Sequence, residues 1–315
     1  TFPAPVEGGV ASIIRGLEHD FRTGAVACKV WKDIGLRAMK DGGYLLIDDP
    51  LFNPIWDCIE DAGKPVILHI GDPPAAWLPL SDDTPHAHYF RNHPEWHVYG
   101  KPGVPSHHSL MASRDRLLAD RPGIIFVGAH LGSMADSVSD ASDRLRRYEN
   151  FYVDLSARFP NLAEQETSAV REFFTTFPNR ILYGTDLEYQ TPFSMMSQAE
   201  REEAIVAGRS ILETCRHYLA STQEEGCLAL PKDVLKAVMR DNAIALFERP
   251  DGRSDTVFHA KSVPYKIRTS RTVIRCWNPR DAVMIQAAID ASVDSLLPWL
   301  PWAKGEPKHY TTKID

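Results

Sequence analysis

Between residues 20 and 190 the apolar positions recur in a fixed order: a short continuous run, a polar or Gly-rich break, a stretch with helical spacing, then another short run. That alternation predicts an α/β domain built on parallel strands. Five runs read as strands: GAVACKVW (24–31), KPVILHIG (64–71), GIIFVGAHLG (123–132), FYVDLS (151–156) and RILYGTD (180–186). Helices are expected at 53–63, 106–120, 135–147, 164–177, 195–219 and 231–247. In the first of these, Asn53 is the expected N-cap, Pro54 the first helical residue and Gly63 the stop. Residues 72–105, rich in Pro, His and Trp, break the rhythm and read as an excursion above the strands, of a length that compact domains reserve for function or disorder. Near 248–255 a charged Pro/Gly segment marks a boundary. Beyond it, 269–302 reads as one strand, a helix opening at Asn278-Pro279 and a Trp/Pro-rich turn.

Side chains alternate faces along a strand, so parity can be counted from each polar residue. Lys29 opposes Cys28 and Val30. His69 opposes Leu68 and Ile70, and His130 opposes Val127 and Ala129. Asp154 opposes Val153 and Leu155, and Asp186 opposes Ile181 and Tyr183. Each strand thus carries a polar group late on one face. In a parallel barrel the helix-facing side is apolar and the inward C-terminal rim is where chemistry is built, so Lys29, His69, His130, Asp154 and Asp186 are expected to converge there. Two imidazoles and a carboxylate from separate strands suit a divalent metal such as zinc, with a position left for water.

Taken singly, a histidine at a strand end is more often a hydrogen-bonded core residue; the joint occurrence with Asp186 carries the metal or catalytic reading. Lys29 is open between a rim ion pair and a functional role. Asp154 is expected to cap the following loop. Arg158, just past DLSA, is open between a bidentate clamp on a substrate carboxylate and a surface ion pair. In the excursion, His86, His88, His93 and His97, with His107 and His108 just beyond, are irregularly spaced and interrupted by four prolines from Pro85 to Pro105. A lid or subunit contact is favoured there over a second metal site, with Trp77 and Trp96 covering apolar surface or a substrate.

Composition narrows the class. The 315 residues are 43% hydrophobic, enough for a large core, and a net charge of −7 argues against holding nucleic acid by general electrostatics. No Lys/Arg block suggests a membrane surface, and no apolar run approaches the roughly 18–20 residues of a bilayer span. Small molecules are the expected partners, and association with a second copy stays open. Five cysteines, Cys28, Cys58, Cys215, Cys227 and Cys276, form no CxxC pair and read as reduced thiols of a cytoplasmic protein. The chain opens on Thr1 and closes on TTKID, and both ends read as cut.

The stretches PVILHIGDP, IIFVGAHLGS, YVDLSAR, ILYGTD and VLKAVMRDNAIALF closely resemble the amidohydrolase-related metal-dependent hydrolases and decarboxylases, the family that includes the aminocarboxymuconate-semialdehyde decarboxylase type. The resemblance covers about residues 1–248. It implies a (β/α)8 TIM barrel in which His69 matches the metal-binding His of the fifth strand, His130 the His of the sixth and Asp186 the Asp of the eighth. It also implies one divalent metal, zinc first, with Asp186 and His130 as the catalytic pair. The sixth-strand His of decarboxylase-like members works as acid/base beside the metal rather than as a ligand. Lys29 falls on the fourth strand and, with Arg158 and Trp77, is the expected substrate contact. The family's first strand carries an HxH pair, and the one HxH in this chain is His86-Ala87-His88. The expected architecture is therefore an incomplete barrel, strands four to eight.

The tail, YKIRTSRTVIRCWNPRDAVMIQAAIDASVDSLLPWLPWA (265–303), resembles the opening strand and helix of GNAT acetyltransferases of the ribosomal-protein-alanine type. The expected organisation is a truncated barrel domain (1–248), a linker (249–264) and a partial α/β acetyltransferase-like segment (265–315). The expected function is a metal-dependent hydrolase or decarboxylase acting on a small carboxylated substrate. The alternative is an inactive fragment or interaction module fused to an N-acetyltransferase.

Overall fold

The computed structural model of the chain describes residues 9–187 and 195–247, together with the backbone of two short strands, 266–268 and 273–275. The chain divides into two compact units, Thr1–Asp255 and Thr256–Asp315.

In the first unit, helix Gly9–Arg22 leads into β1 (Cys28–Val30), and a small hairpin follows, β2 (Met39–Lys40) with β3 (Gly43–Tyr44). The strands β4 (Val66–Leu68), β5 (Phe126–Gly128), β6 (Phe151–Asp154) and β7 (Ile181–Leu182) come next. The sheet has the order β1-β4-β5-β6-β7 and every pairing is parallel. Sequential parallel neighbours require crossovers, and helices Asn53–Asp61, His107–Asp120, Val138–Arg147 and Thr167–Thr176 fall between the strands as the pattern predicted.

Register sorts the two faces. Cys28, Val66, Phe126 and Phe151 stand in one row and Val30, Leu68, Gly128 and Val153 in the next. These pack with Trp56, Ile59, Leu117, Leu145, Val170 and Phe174 of the helices in one continuous core. On the opposite face a smaller cluster joins Val127 and Leu182 to Leu246 of helix Asn242–Phe247. Each face of the sheet thus buries apolar residues, which is why these strands read as continuous apolar runs.

The expected element boundaries shift in three places. Asn53 is the first helical residue, not the cap; Asp49 does the capping one turn earlier, accepting the Leu51 N–H at the start of a 3-10 turn, Pro50–Phe52. Gly63 follows the helix with φ +61°, as its stop requires. The helix expected at 164–177 begins later, as Thr167–Thr176, because extended Glu166 caps it, and a separate short helix, Phe159–Ala163, precedes it. The helix expected at 231–247 contains a π-helical turn, Ala237–Asp241, whose Val238 carbonyl accepts the Tyr183 N–H at 3.0 Å. Asn242 then donates to the carbonyls of Pro178 and Ile181, fastening the last helix to β7. The excursion is ordered: Phe90, Trp96 and Val98 are buried in the main core.

In the second unit the described backbone is one antiparallel pair, β8 (Lys266–Arg268) with β9 (Val273–Arg275), Ile267 opposite Ile274. The helix expected from Asn278 and the turn after it lie outside the described residues. Among the described residues no helix is long and apolar enough to cross a membrane.

Gly128, at the end of β5, has no room for a side chain. A Cβ there would meet the Gly132 Cα and the Phe151 ring, both at 2.7 Å. Gly128→Ala is expected to destabilise the fold by about 1–3 kcal/mol, read as a lowered urea midpoint at unchanged slope.

Candidate active site

The strand ends turn their polar residues toward one another, by two different routes. His69 continues β4 regularly, its N–H donating to the Val30 carbonyl at 3.1 Å. Its parity with Ile67 and Lys29 puts it on the face opposite the main helices.

His130 reaches the same place against its parity. Register aligns Phe126 and Gly128 with the helix-facing row, so a straight β5 would aim His130 into the helix layer. This corrects the expectation that alternation alone brings it inward. The strand stops at Gly128, and His130 and Leu131 take left-handed backbone angles, φ 58° and 54°. Such angles cost on the order of 1–3 kcal/mol per non-glycine residue. Asp154 offsets that cost: one carboxylate oxygen accepts the His130 N–H at 2.9 Å and the Ser156 N–H at 3.0 Å. Asp154 is thus the loop cap expected of it. Buried Arg114 adds a bond from its guanidinium to the Gly132 carbonyl at 2.5 Å.

The two imidazoles lie edge to face, ring centroids 4.4 Å apart. Burial, then His130, Lys32, Lys29 and Arg158, hold the His69 imidazole well below its usual range, and its Nδ1 has no hydrogen-bond partner. Burial lowers His130 too, against the opposing bond between Nδ1 and the Ser156 carbonyl at 2.8 Å. A carbonyl only accepts, so His130 Nδ1 carries the proton and Nε2 keeps its lone pair. That Nε2 stands 3.8 Å from Asp186 Oδ2, with Asp186 49% exposed. Asp186 also sits at positive φ, 56°, four residues past the end of β7.

Arg158 is partly buried, its Nε unpaired and its pKa lowered by burial against the pull of Asp72, Asp136 and Asp186. Lys29 projects its ammonium 5.5 Å from the Trp31 ring centroid. Trp77 is engaged elsewhere, donating Nε1 to the Pro105 carbonyl at 2.9 Å and standing edge-on to His107 at 5.5 Å. The other excursion histidines have separate partners: His86 lies 3.3 Å from the Asn161 amide, His88 3.0 Å from Asn92, and His97 2.9 Å from the Leu78 carbonyl.

Sequence reasoning passed over the group beside them. Lys32, 2% exposed, donates to both oxygens of Asp72, 3% exposed, at 2.8 Å, and to the Tyr89 hydroxyl at 2.8 Å. The ammonium also lies 4.2 Å from the Trp96 ring centroid. Lys32 lies two residues past β1 and Asp72 four past β4, where alternation no longer applies. The signal available was opposite charges just beyond two adjacent strand ends.

As donors, two neutral imidazoles, an orphaned His69 Nδ1 and a carboxylate suit a divalent metal. The His69, His130 and Asp186 ligand atoms do not all lie within 4.8 Å of one another; among the described residues one other set of three does. The donor types therefore fit, and the spacing is wider than a filled site.

The family model described as Amidohydrolase matches residues 2–249. The chain belongs to the amidohydrolase family. Solved structures similar to this amidohydrolase include an uncharacterized TIM-barrel protein from Bordetella bronchiseptica, 17% identical over 76% of this chain and 63% of that one, TM-score 0.41. A 2,6-dihydroxybenzoate decarboxylase from Rhizobium is 19% identical over 76% and 67%, TM-score 0.41. A dihydroxybenzoic acid decarboxylase from a Polaromonas species, with bound manganese, is 16% identical over 80% and 69%, TM-score 0.43. The chain spans less than two thirds of the first of these, 63% of its length. No curated protein sequence matches it.

Removing one partner of the Lys32–Asp72 pair leaves the other charge buried. Asp72→Asn is expected to cost about 3–5 kcal/mol in chemical denaturation, and the double replacement Lys32→Met with Asp72→Leu to recover most of it.

Proposed function

We propose that this amidohydrolase is a metal-dependent hydrolase or decarboxylase acting on a small carboxylated substrate. The observation that carries the reading is the meeting of two neutral imidazoles and an exposed carboxylate past the ends of β4, β5 and β7. His69 and Asp186 would hold the divalent ion, zinc first, which when bound supplies Lewis-acid polarisation of a substrate oxygen; His130, with Nε2 as its one free lone pair, is left beside the ion for proton transfer.

The chain's own groups do the rest. Arg158, whose Nη1 donates to the Ala157 carbonyl and whose Nε is unpaired, orients the substrate carboxylate, and Lys29 adds positive charge at the same rim. His130 Nε2 accepts a proton while its Nδ1–H stays bonded to the Ser156 carbonyl, and Asp186 stabilises the resulting imidazolium. In hydrolysis that proton comes from the attacking water and leaves with the departing group. In decarboxylation the bond to the carboxylate carbon breaks, CO2 departs, and the carbon left behind takes a proton that His130 has first picked up from solvent.

The architecture that goes with this function is a barrel of which residues 1–248 supply strands four to eight, followed by a linker (249–264) and an acetyltransferase-like segment (265–315). The sequential parallel order of five strands supports the barrel reading.

The test is turnover of a panel of small carboxylic acids by protein supplied with zinc or manganese, scored for CO2 release and for hydrolysis. Asp186→Asn is expected to lower kcat by roughly 10²–10⁴, and Arg158→Lys to raise KM more than it lowers kcat. Full activity in Asp186→Asn would sink the assignment.

A further inference from the structure

A second group of ligating side chains, sharing no residue with the strand ends, lies at the C-terminal end of helix Gln198–Ala220. His217 stands in the last turn of that helix. Residues 221–227 then fold back on it: the Ser221 N–H donates to the His217 carbonyl at 2.8 Å, and the Cys227 N–H to the Glu224 carbonyl at 3.3 Å. Gly226 makes the return at φ +88°, a conformation side chains disfavour. The chain is locked as it leaves, the Leu228 N–H donating to the Tyr218 carbonyl at 2.8 Å and the Leu230 N–H to the Leu219 carbonyl at 2.9 Å. Arg171 reaches across to the Leu228 and Ala229 carbonyls from another helix.

This closure brings a His217 ring nitrogen, a Glu224 oxygen and the Cys227 sulfur within 4.8 Å of one another, a set that occurs once among the described residues. His217 Nε2 and Glu224 Oε2 are 2.9 Å apart. An exposed His–Glu pair by itself is a common surface contact of small worth. The sulfur beside it is what that explanation leaves over. Nitrogen, sulfur and oxygen donors together select a borderline-soft ion and disfavour calcium or magnesium, which take oxygen. The negative end of a 23-residue helix favours a cation at the same place.

We propose that His217, Glu224 and Cys227 form a zinc-type site, three protein ligands with the fourth position left to water. Binding releases the Cys227 thiol proton, and any proton held between His217 and Glu224, to solvent, with no change of oxidation state. The site fastens the loop 221–227 to the helix it follows and is independent of the reading given to the strand ends.

Cobalt(II) added to the full, metal-stripped chain tests it. The expected result is a thiolate-to-cobalt charge-transfer band that Cys227→Ser abolishes, that Cys58→Ser and Asp186→Asn retain, and whose midpoint His217→Ala weakens at least about tenfold. In the unmutated chain, zinc is expected to slow alkylation of Cys227 by iodoacetamide, followed by peptide mass spectrometry. A band that survives Cys227→Ser, no band at all, or a Cys227 alkylation rate unmoved by zinc would overturn the proposal.

Discussion

One carboxylate fixes the geometry on which the candidate active site depends. Asp154 Oδ1 accepts backbone N–H groups from both His130 and Ser156. The first bond holds the chain after β5 in a left-handed turn it would otherwise leave. The second sets the loop after β6 so that the Ser156 carbonyl meets His130 Nδ1 and Arg158 follows in the next turn. A hydrogen bond to a charged acceptor contributes about 1.5–3 kcal/mol, the same order as the strain it opposes. The tautomer of His130, its reach toward Asp186 and the position of the guanidinium all follow from that acceptor.

A second constraint works beside it. The Lys32–Asp72 pair is taken out of water almost completely, and a buried pair persists only where further bonds satisfy it. The Tyr89 hydroxyl accepts one from Lys32 and the Trp96 ring faces the same ammonium, and both belong to the excursion between β4 and β5. The long loop is therefore tied to the strand ends by charge and by the burial of Phe90 and Val98, which gives it the character of a fixed wall rather than a free lid. The same ammonium helps keep His69 neutral, so loop anchoring and the chemistry of the site share a residue.

The sheet and its helices were legible because their signals are local. Continuous apolar runs gave β1, β4, β5, β6 and β7, and 3.6-residue spacing gave most of the helices between them. Boundaries were less legible where the deciding group lay at a distance: the π-turn at Ala237–Asp241 serves a strand more than fifty residues earlier, and Asp49 caps from beyond a 3-10 turn. Among the site residues, His69 obeyed alternation. His130 did not, since its direction is set by a turn that Asp154, 24 residues away, holds in place. Trp77, chosen as an aromatic in a suggestive loop, instead packs against His107.

By itself the sequence determined the class of fold, a parallel α/β arrangement, and the chemical types available at the strand ends, because hydrophobic period and residue identity are written along the chain. It also carried the family, through short motifs at those same ends. Only the tertiary structure decided which polar groups meet. Lys32 finds Asp72 across 40 residues, and His217 finds Glu224 and Cys227 around a glycine turn. The physical reason is that past the last paired residue of a strand or helix no period fixes where a side chain points. There the partners that satisfy buried polar atoms take over.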